Sequence, residues 1–173
     1  MKANHLKIIG SFAFYSVIGT ASAAVSLPKE GPFDAHFCFS GTGQNIALND
    51  NAVAGSYTLF ATIRSDAPWG AFDQTASHCM GLFQSVNGKT MENGYCDIVD
   101  ADGDKYLMRY SGDDKGGKVE GIAGTGKYEG MTLQGEYRHG NLPTTSSDRF
   151  YACNRFSGTY KLSRTEISQI VTS

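Results

Sequence analysis

From residue 33 onward, apolar and polar side chains alternate with a period of two, and glycine-rich breaks interrupt the alternation. That period marks strands with one buried face, and no long stretch keeps helical spacing. The pattern predicts strands near residues 33–40, 53–64, 78–86, 89–99, 104–111, 117–123, 132–139 and 149–162. About eight antiparallel strands joined mostly by short turns can form a sandwich or an up-and-down barrel.

Two hairpins can be registered residue by residue. Asn87-Gly88 suits a two-residue type I′ turn, in which both positions take positive φ. Val86 then faces Lys89, and counting outward puts Cys79 directly opposite Cys96 in a non-hydrogen-bonded pair. The Cα atoms of such a pair lie about 4.5 Å apart, within the span of a disulfide. The register therefore predicts a Cys79–Cys96 bridge and leaves Cys38 to join Cys153. Because Cys38 lies on the first strand and Cys153 on the last, their bond brings the two ends of the sheet together. This favours a closed barrel, which also removes exposed sheet edges.

A second two-residue turn at Asp102-Gly103 would pair Asp100 with Lys105 on the surface. Combining the two registers divides the central strands into two faces. Cys79, Phe83, Glu92, Cys96, Ile98, Lys105 and Arg109 share one; His78, Met80, Leu82, Asn93, Tyr95, Asp97, Tyr106, Met108 and Tyr110 share the other. The cysteine face carries more charge and is assigned to the outside, so the second set is expected to fill the barrel. On the last strand Phe150, Asn154, Phe156 and Tyr160 are expected to point inward, opposite Cys153.

The first 23 residues change the picture of compartment. Lys2 and Lys7 precede an apolar run from Ile8 to Gly19, and Ala21-Ser22-Ala23 supplies small residues where a signal peptidase reads them. Residues 1–23 thus read as a signal peptide and 24–173 as a single β-barrel domain, periplasmic or secreted, with no stable membrane insertion after cleavage. All four cysteines lie in the mature part, where an oxidising compartment favours two disulfides. The chain's formal charge of −2 gives no basic surface for nucleic acid. Cleavage removes two lysines and no acid, so the mature chain is more acidic still. The 21 glycines against 4 prolines suit many tight turns and not a helical bundle.

The string Val119-Glu120-Gly121-Ile122-Ala123-Gly124-Thr125-Gly126-Lys127-Tyr128-Glu129-Gly130, with Gly135-Glu136-Tyr137, resembles the Gly-Thr-Gly-Lys-aromatic-x-Gly signature of the allene oxide cyclase-like and dirigent-like barrels. Asp100-Ala101-Asp102-Gly103-Asp104-Lys105 is similar to a hairpin in small exported bacterial members of that group. The resemblance is clear over roughly residues 95–140. It implies an eight-stranded, lipocalin-like barrel, often oligomeric, with a hydrophobic cavity, and it carries over no catalytic set. Plant cyclases of the group use an interior glutamate with polar groups that hold a water, whereas the register above places Glu92 outside.

Other candidate chemistry is weaker. The glycine string lacks the Gly-Lys-Ser/Thr and following helix of a phosphate loop. Asp100, Asp102 and Asp104 suggest calcium, but an EF-hand needs a carboxylate where Ser111 stands, and a charged hairpin turn explains them more simply. His36 is expected outside, away from His78, so the mature histidines His36, His78 and His139 are not expected to gather a metal. His78 and Asp97 face each other in the first register on the presumed inner side, where a carboxylate beside an imidazole could work as a general base. Tyr57, Tyr95, Tyr106, Tyr137, Asn93 and Asn154 would line a pocket of aromatic walls with a few polar groups. Trp69, on the longest loop, could cover the barrel mouth or pack on its rim; residues 165–173 show no readable role.

The sequence therefore describes an exported barrel that binds a small hydrophobic or aromatic molecule without a cofactor, and that could be a homo-oligomer. A cofactor-independent cyclase, isomerase or lyase using His78 and Asp97 is the alternative. A structural or interaction protein with a solid core is the third reading.

Overall fold

The computed structural model describes residues 28–67, 71–143 and 149–163. The proposed signal peptide, Trp69 and residues 165–173 lie outside them. Eight antiparallel strands close on themselves: β1 Glu30–Asn49, β2 Ala52–Ser65, β3 Thr75–Val86, β4 Lys89–Val99, β5 Lys105–Gly112, β6 Gly116–Gly124, β7 Thr132–Arg138 and β8 Phe150–Lys161. The chain is all-β, as its alternation predicts, and forms the up-and-down barrel that the expected Cys38–Cys153 pairing favours. Closure runs through β1 and β8, where Cys38 pairs with Cys153 and the two are bridged, with Cα atoms 3.9 Å apart. Cys79 and Cys96 form the second disulfide.

The Asn87-Gly88 turn has both residues at positive φ, 51° and 75°, and every β3–β4 pair follows from it, Cys79 with Cys96 and His78 with Asp97 included. The second register is displaced by one residue. Cys96 faces Met108, and Val99 faces Lys105, because residues 100–104 form a longer loop than the expected two-residue turn. The cause is local: Asp100 Oδ1 accepts hydrogen bonds from the backbone N–H groups of Asp102 (2.9 Å) and Asp104 (3.1 Å), so the aspartate organises its own turn. Lys105 consequently pairs with Asp97 (3.5 Å) and not with Asp100.

Asp100 instead meets Lys127 Nζ at 2.8 Å, and Asp102 lies 2.5 Å from the same ammonium. This assigns a physical role to the Gly-Thr-Gly-Lys string. Thr125 Oγ1 accepts from the Lys105 N–H at 3.0 Å, Gly126 takes a positive φ of 53° against the Asp104 carboxylate, and Lys127 neutralises the aspartate loop. Burial pushes the Asp100 carboxyl up, but hydrogen bonds from Lys127 and Tyr128 outweigh it and hold the carboxyl below its ordinary value. The loop already contains its cation.

The larger correction concerns the faces. Cys79, Gly81, Gly94, Cys96 and Ile98 are buried in the lumen, while His78, Met80, Leu82, Asn93, Tyr95 and Asp97 stand on the outer wall. Charge is a poor guide here, because the outward rows of β3 and β4 are rich in large apolar residues and the inward rows, Phe83 and Ile98 apart, are small or polar. On β5 the displaced register and the inverted face cancel, so Tyr106, Met108 and Tyr110 do point inward. The two disulfides sit on opposite faces: Cys79–Cys96 in the lumen, Cys38–Cys153 on the side away from inward-facing Phe37 and Asn154.

Among the described residues, the lumen is filled at one end only. Ala71 and Phe72 of the β2–β3 connection turn inward, and Phe72, at a positive φ of 67°, packs within 5.2–6.1 Å (ring centroids) of Tyr106, Tyr128 and Tyr160. Phe33 meets Phe72 edge-on and leans against Phe156. Ile63, Ile98 and Leu133 complete this plug.

Candidate functional site

Above the plug the barrel is hollow. A cavity of about 540 Å³ opens at the end formed by the β1–β2 hairpin, the β3–β4 hairpin and the start of β8. Its walls are mostly aromatic and aliphatic: Phe37, Phe39, Leu59, Phe83, Met108, Val119 and Phe150, with the Cys79–Cys96 disulfide among them. Cavities of this size and composition suit small organic ligands, since burying apolar surface drives binding and a few placed polar groups orient it.

The polar groups converge on Glu92. The β4 row that carries Cys96 inward carries Glu92 inward too, four residues earlier. Its Oε1 accepts from the Tyr137 hydroxyl at 2.5 Å and its Oε2 from the Tyr57 hydroxyl at 3.0 Å. Tyr110 donates in turn to the Tyr57 hydroxyl at 2.8 Å. His139 Nε2 lies 3.4 Å from Oε1 and 2.9 Å from the Asp113 carbonyl oxygen, which anchors the imidazole. Gly81 and Gly94 face each other on β3 and β4 and leave the space that the Tyr57 and Tyr110 rings occupy; a Cβ at Gly81 would come within 2.5 Å of the Tyr57 ring.

These contacts fix the charges. Burial pushes the Glu92 carboxyl up, but hydrogen bonds from His139, Tyr137 and Tyr57 more than offset it, so the carboxyl titrates below its ordinary range. The Glu92 hydrogen bond raises His139 above its ordinary value, against the opposing effect of burial. Burial, followed by the neighbouring tyrosine and the Glu92 charge, drives the Tyr57 phenol far up, and burial pushes Tyr110 to about 12. Glu92 is thus an ionised acceptor held by phenols that stay protonated, with an imidazole poised to share its proton.

Of the residues expected at the site, Tyr57, Tyr137 and Asn154 line the cavity. Tyr106 faces inward but lies in the plug. His78, Asn93, Tyr95 and Asp97 are outside: His78 stacks on Phe60 at 4.8 Å and Asp97 pairs with Lys105. The proposed acid–base pair is therefore opposed across β3–β4 as the register demands, but it cannot reach the lumen. Glu92, the expected outer glutamate, is inside.

His139 had a signal in the sequence, since it lies two residues past inward-facing Tyr137. Glu92 had a subtler one. Glycines within two neighbouring strands, Gly81 and Gly94, mark a place where something bulky approaches closely, and that face is the lumen.

No protein-family model and no curated protein sequence matches the chain. Among solved structures, the chain is similar to a dirigent protein, a pterocarpan synthase, at 11% identity and a TM-score of 0.49, over 87% of this chain and 99% of that one.

Proposed function

We propose that the protein is exported and binds a small hydrophobic or aromatic molecule in the hollow half of its barrel. The cavity of about 540 Å³ carries this reading: its walls are apolar, and its polar groups are gathered around Glu92. A ligand would place its apolar body against Phe37, Leu59, Met108 and Phe156 and meet the tyrosine hydroxyls and Asn154 with any polar group. The hollow half weighs against a solid core. The N-terminal pattern and the two disulfides support export to an oxidising compartment, periplasmic or extracellular.

The same cavity supports a second reading, a cofactor-independent cyclase, isomerase or lyase. The observation that favours it is the Glu92–His139 contact in the cavity wall, which replaces His78 and Asp97 as the acid–base pair.

Native mass spectrometry of protein purified from its own host tests the first reading, together with titration by an apolar fluorescent dye. A retained small molecule or saturable one-to-one dye binding is expected; a chain that does neither overturns the proposal. Once a ligand is found to be converted, Glu92→Gln and His139→Gln are expected to abolish conversion while leaving dye binding intact. Unchanged turnover in both variants would remove the enzymatic reading.

A further inference from the structure

Closure of the barrel leaves part of β1 uncovered. β8 pairs with β1 from Glu30 as far as Gly41, which faces Phe150, yet β1 runs on to Asn49 with β2 alone beside it. Among the described residues, nothing pairs with its other side over residues 42–49. An open strand edge is a template for further pairing, and proteins usually blunt one with a charge or a proline. The stretch Thr42-Gly43-Gln44-Asn45-Ile46-Ala47-Leu48-Asn49 holds neither. A register shift interrupts it only between Ala47 and Asn49.

The ladder fixes where the backbone groups of this edge point. The Asp34 carbonyl accepts from the N–H of Asp66, just past the end of β2, so even-numbered residues of β1 turn their backbone groups towards β2. The Cys153 N–H donates to the Gly140 carbonyl, away from β1. Cys38 and Cys153 thus face each other as a non-hydrogen-bonded pair, and odd-numbered residues of β1 turn towards β8. The β1–β2 register is unbroken from Ala35 to Ala47. Gly43, Asn45 and Ala47 therefore each aim an N–H and a C=O at the open side.

We infer that this edge is a binding site for an extended peptide segment of another protein, taken up as an added strand beside residues 42–47. The backbone selects this class of ligand, because donors and acceptors repeating at strand spacing are matched by another extended backbone. The surroundings favour a single strand over the wall of a second barrel. Gly43 and Asn45 line the cavity mouth together with Asn141, Arg149, Phe150 and Tyr151, so the edge lies in a recess of the rim and not on the convex outer wall. Side chains set the preference. A partner residue opposite Gly43 points into the apolar mouth, where glycine leaves room for an aromatic or aliphatic chain. A partner residue opposite Ile46, itself 77% exposed, points outward and suits a β-branched chain. This inference stands whatever small molecule the cavity holds.

The test titrates the disulfide-bonded chain into a fluorescent nonapeptide of alternating threonine and valine, with phenylalanine at its centre and lysine at each end. Saturable binding is expected, with the amides of Gly43, Asn45 and Ala47 protected from hydrogen exchange only when the peptide is present. N-methylation separates backbone pairing from apolar adsorption. Methylating the valines and phenylalanine, whose N–H groups would face β1, should abolish binding, whereas methylating the threonines should leave it. Asn45→Pro removes a donor from the open side and none from the β1–β2 ladder, so the variant should form both disulfides and bind at least about tenfold more weakly. Absence of saturable binding, equal binding of the two methylated peptides, or a folded Asn45→Pro variant that binds like the wild type would each overturn the proposal. So would Gly43 and Asn45 amides already protected without peptide, which would show the edge covered by the chain itself or by a second copy.

Discussion

The two halves of the lumen are built from the same alternating strands and come to opposite ends. Around Phe72 the inward rows meet ring to ring, and Tyr106, Tyr128, Ile98 and Leu133 are almost wholly buried. Around Glu92 the inward positions of β3 and β4 include Gly81, Gly94 and Thr90; the Tyr57 and Tyr110 rings take the space beside the glycines, and the cavity that these rings and Phe83 line stays open. A β-barrel of eight strands is just wide enough for either outcome. The plug supplies the packing on which the fold rests, and the hollow end is where removing atoms costs little.

That contrast can be broken at the plug. Phe72→Ala should destabilise the protein by about 3–5 kcal/mol, because it opens a void among four aromatic rings that strands cannot close. Urea unfolding would measure it, and a loss under about 1 kcal/mol would show that the plug is not the core.

At the hollow end the matching change, Phe83→Ala, should cost only about 1 kcal/mol, since the side chain is half-buried beside space already empty. A cost equal to that of Phe72→Ala would erase the distinction.

The smallest effect is electrostatic and belongs to the hollow end alone. Glu92 titrates below its ordinary value in the fold, so its contribution is present at neutral pH and lost as pH falls through that lowered pKa. His139 titrates above its ordinary 6.5, so its contribution is complete below 6.5 and lost as pH rises through the raised pKa. Stability should therefore fall off on both sides of a plateau. Glu92→Gln should remove the loss on the alkaline side, because neutral glutamine no longer favours the imidazolium. Melting temperatures across pH would show this, and an alkaline loss unchanged in the variant would assign it to another group.

Much of the barrel was legible in local pattern. Asn87-Gly88 set the β3–β4 register because type I′ geometry leaves no freedom once both residues take positive φ, and both disulfides followed from it. The next hairpin misled because Asp102-Gly103 looks like the same device. The side chain of Asp100 claims two backbone N–H groups and lengthens the loop, and its partner, Lys127, arrives from a distant strand pair.

Which face looks inward was also beyond local pattern. Alternation says that two faces differ; it does not say which one water touches when one is apolar and large and the other small with a single carboxylate. On β7 and β8 the usual rule applied, so Tyr137, Asn154 and Phe156 do face inward as expected.

The chain's own order of residues thus determined strand number, antiparallel connectivity, one hairpin register and the cysteine pairing, because each depends on period-two spacing or on a turn with one allowed geometry. The tertiary structure decided the sidedness of β3 and β4, and with it the site. Glu92 can be partly buried only because Tyr57 and Tyr137 on other strands, and His139 just past the end of β7, come to it. A buried carboxylate is tolerable where donors surround it, and those donors meet only after the barrel has closed.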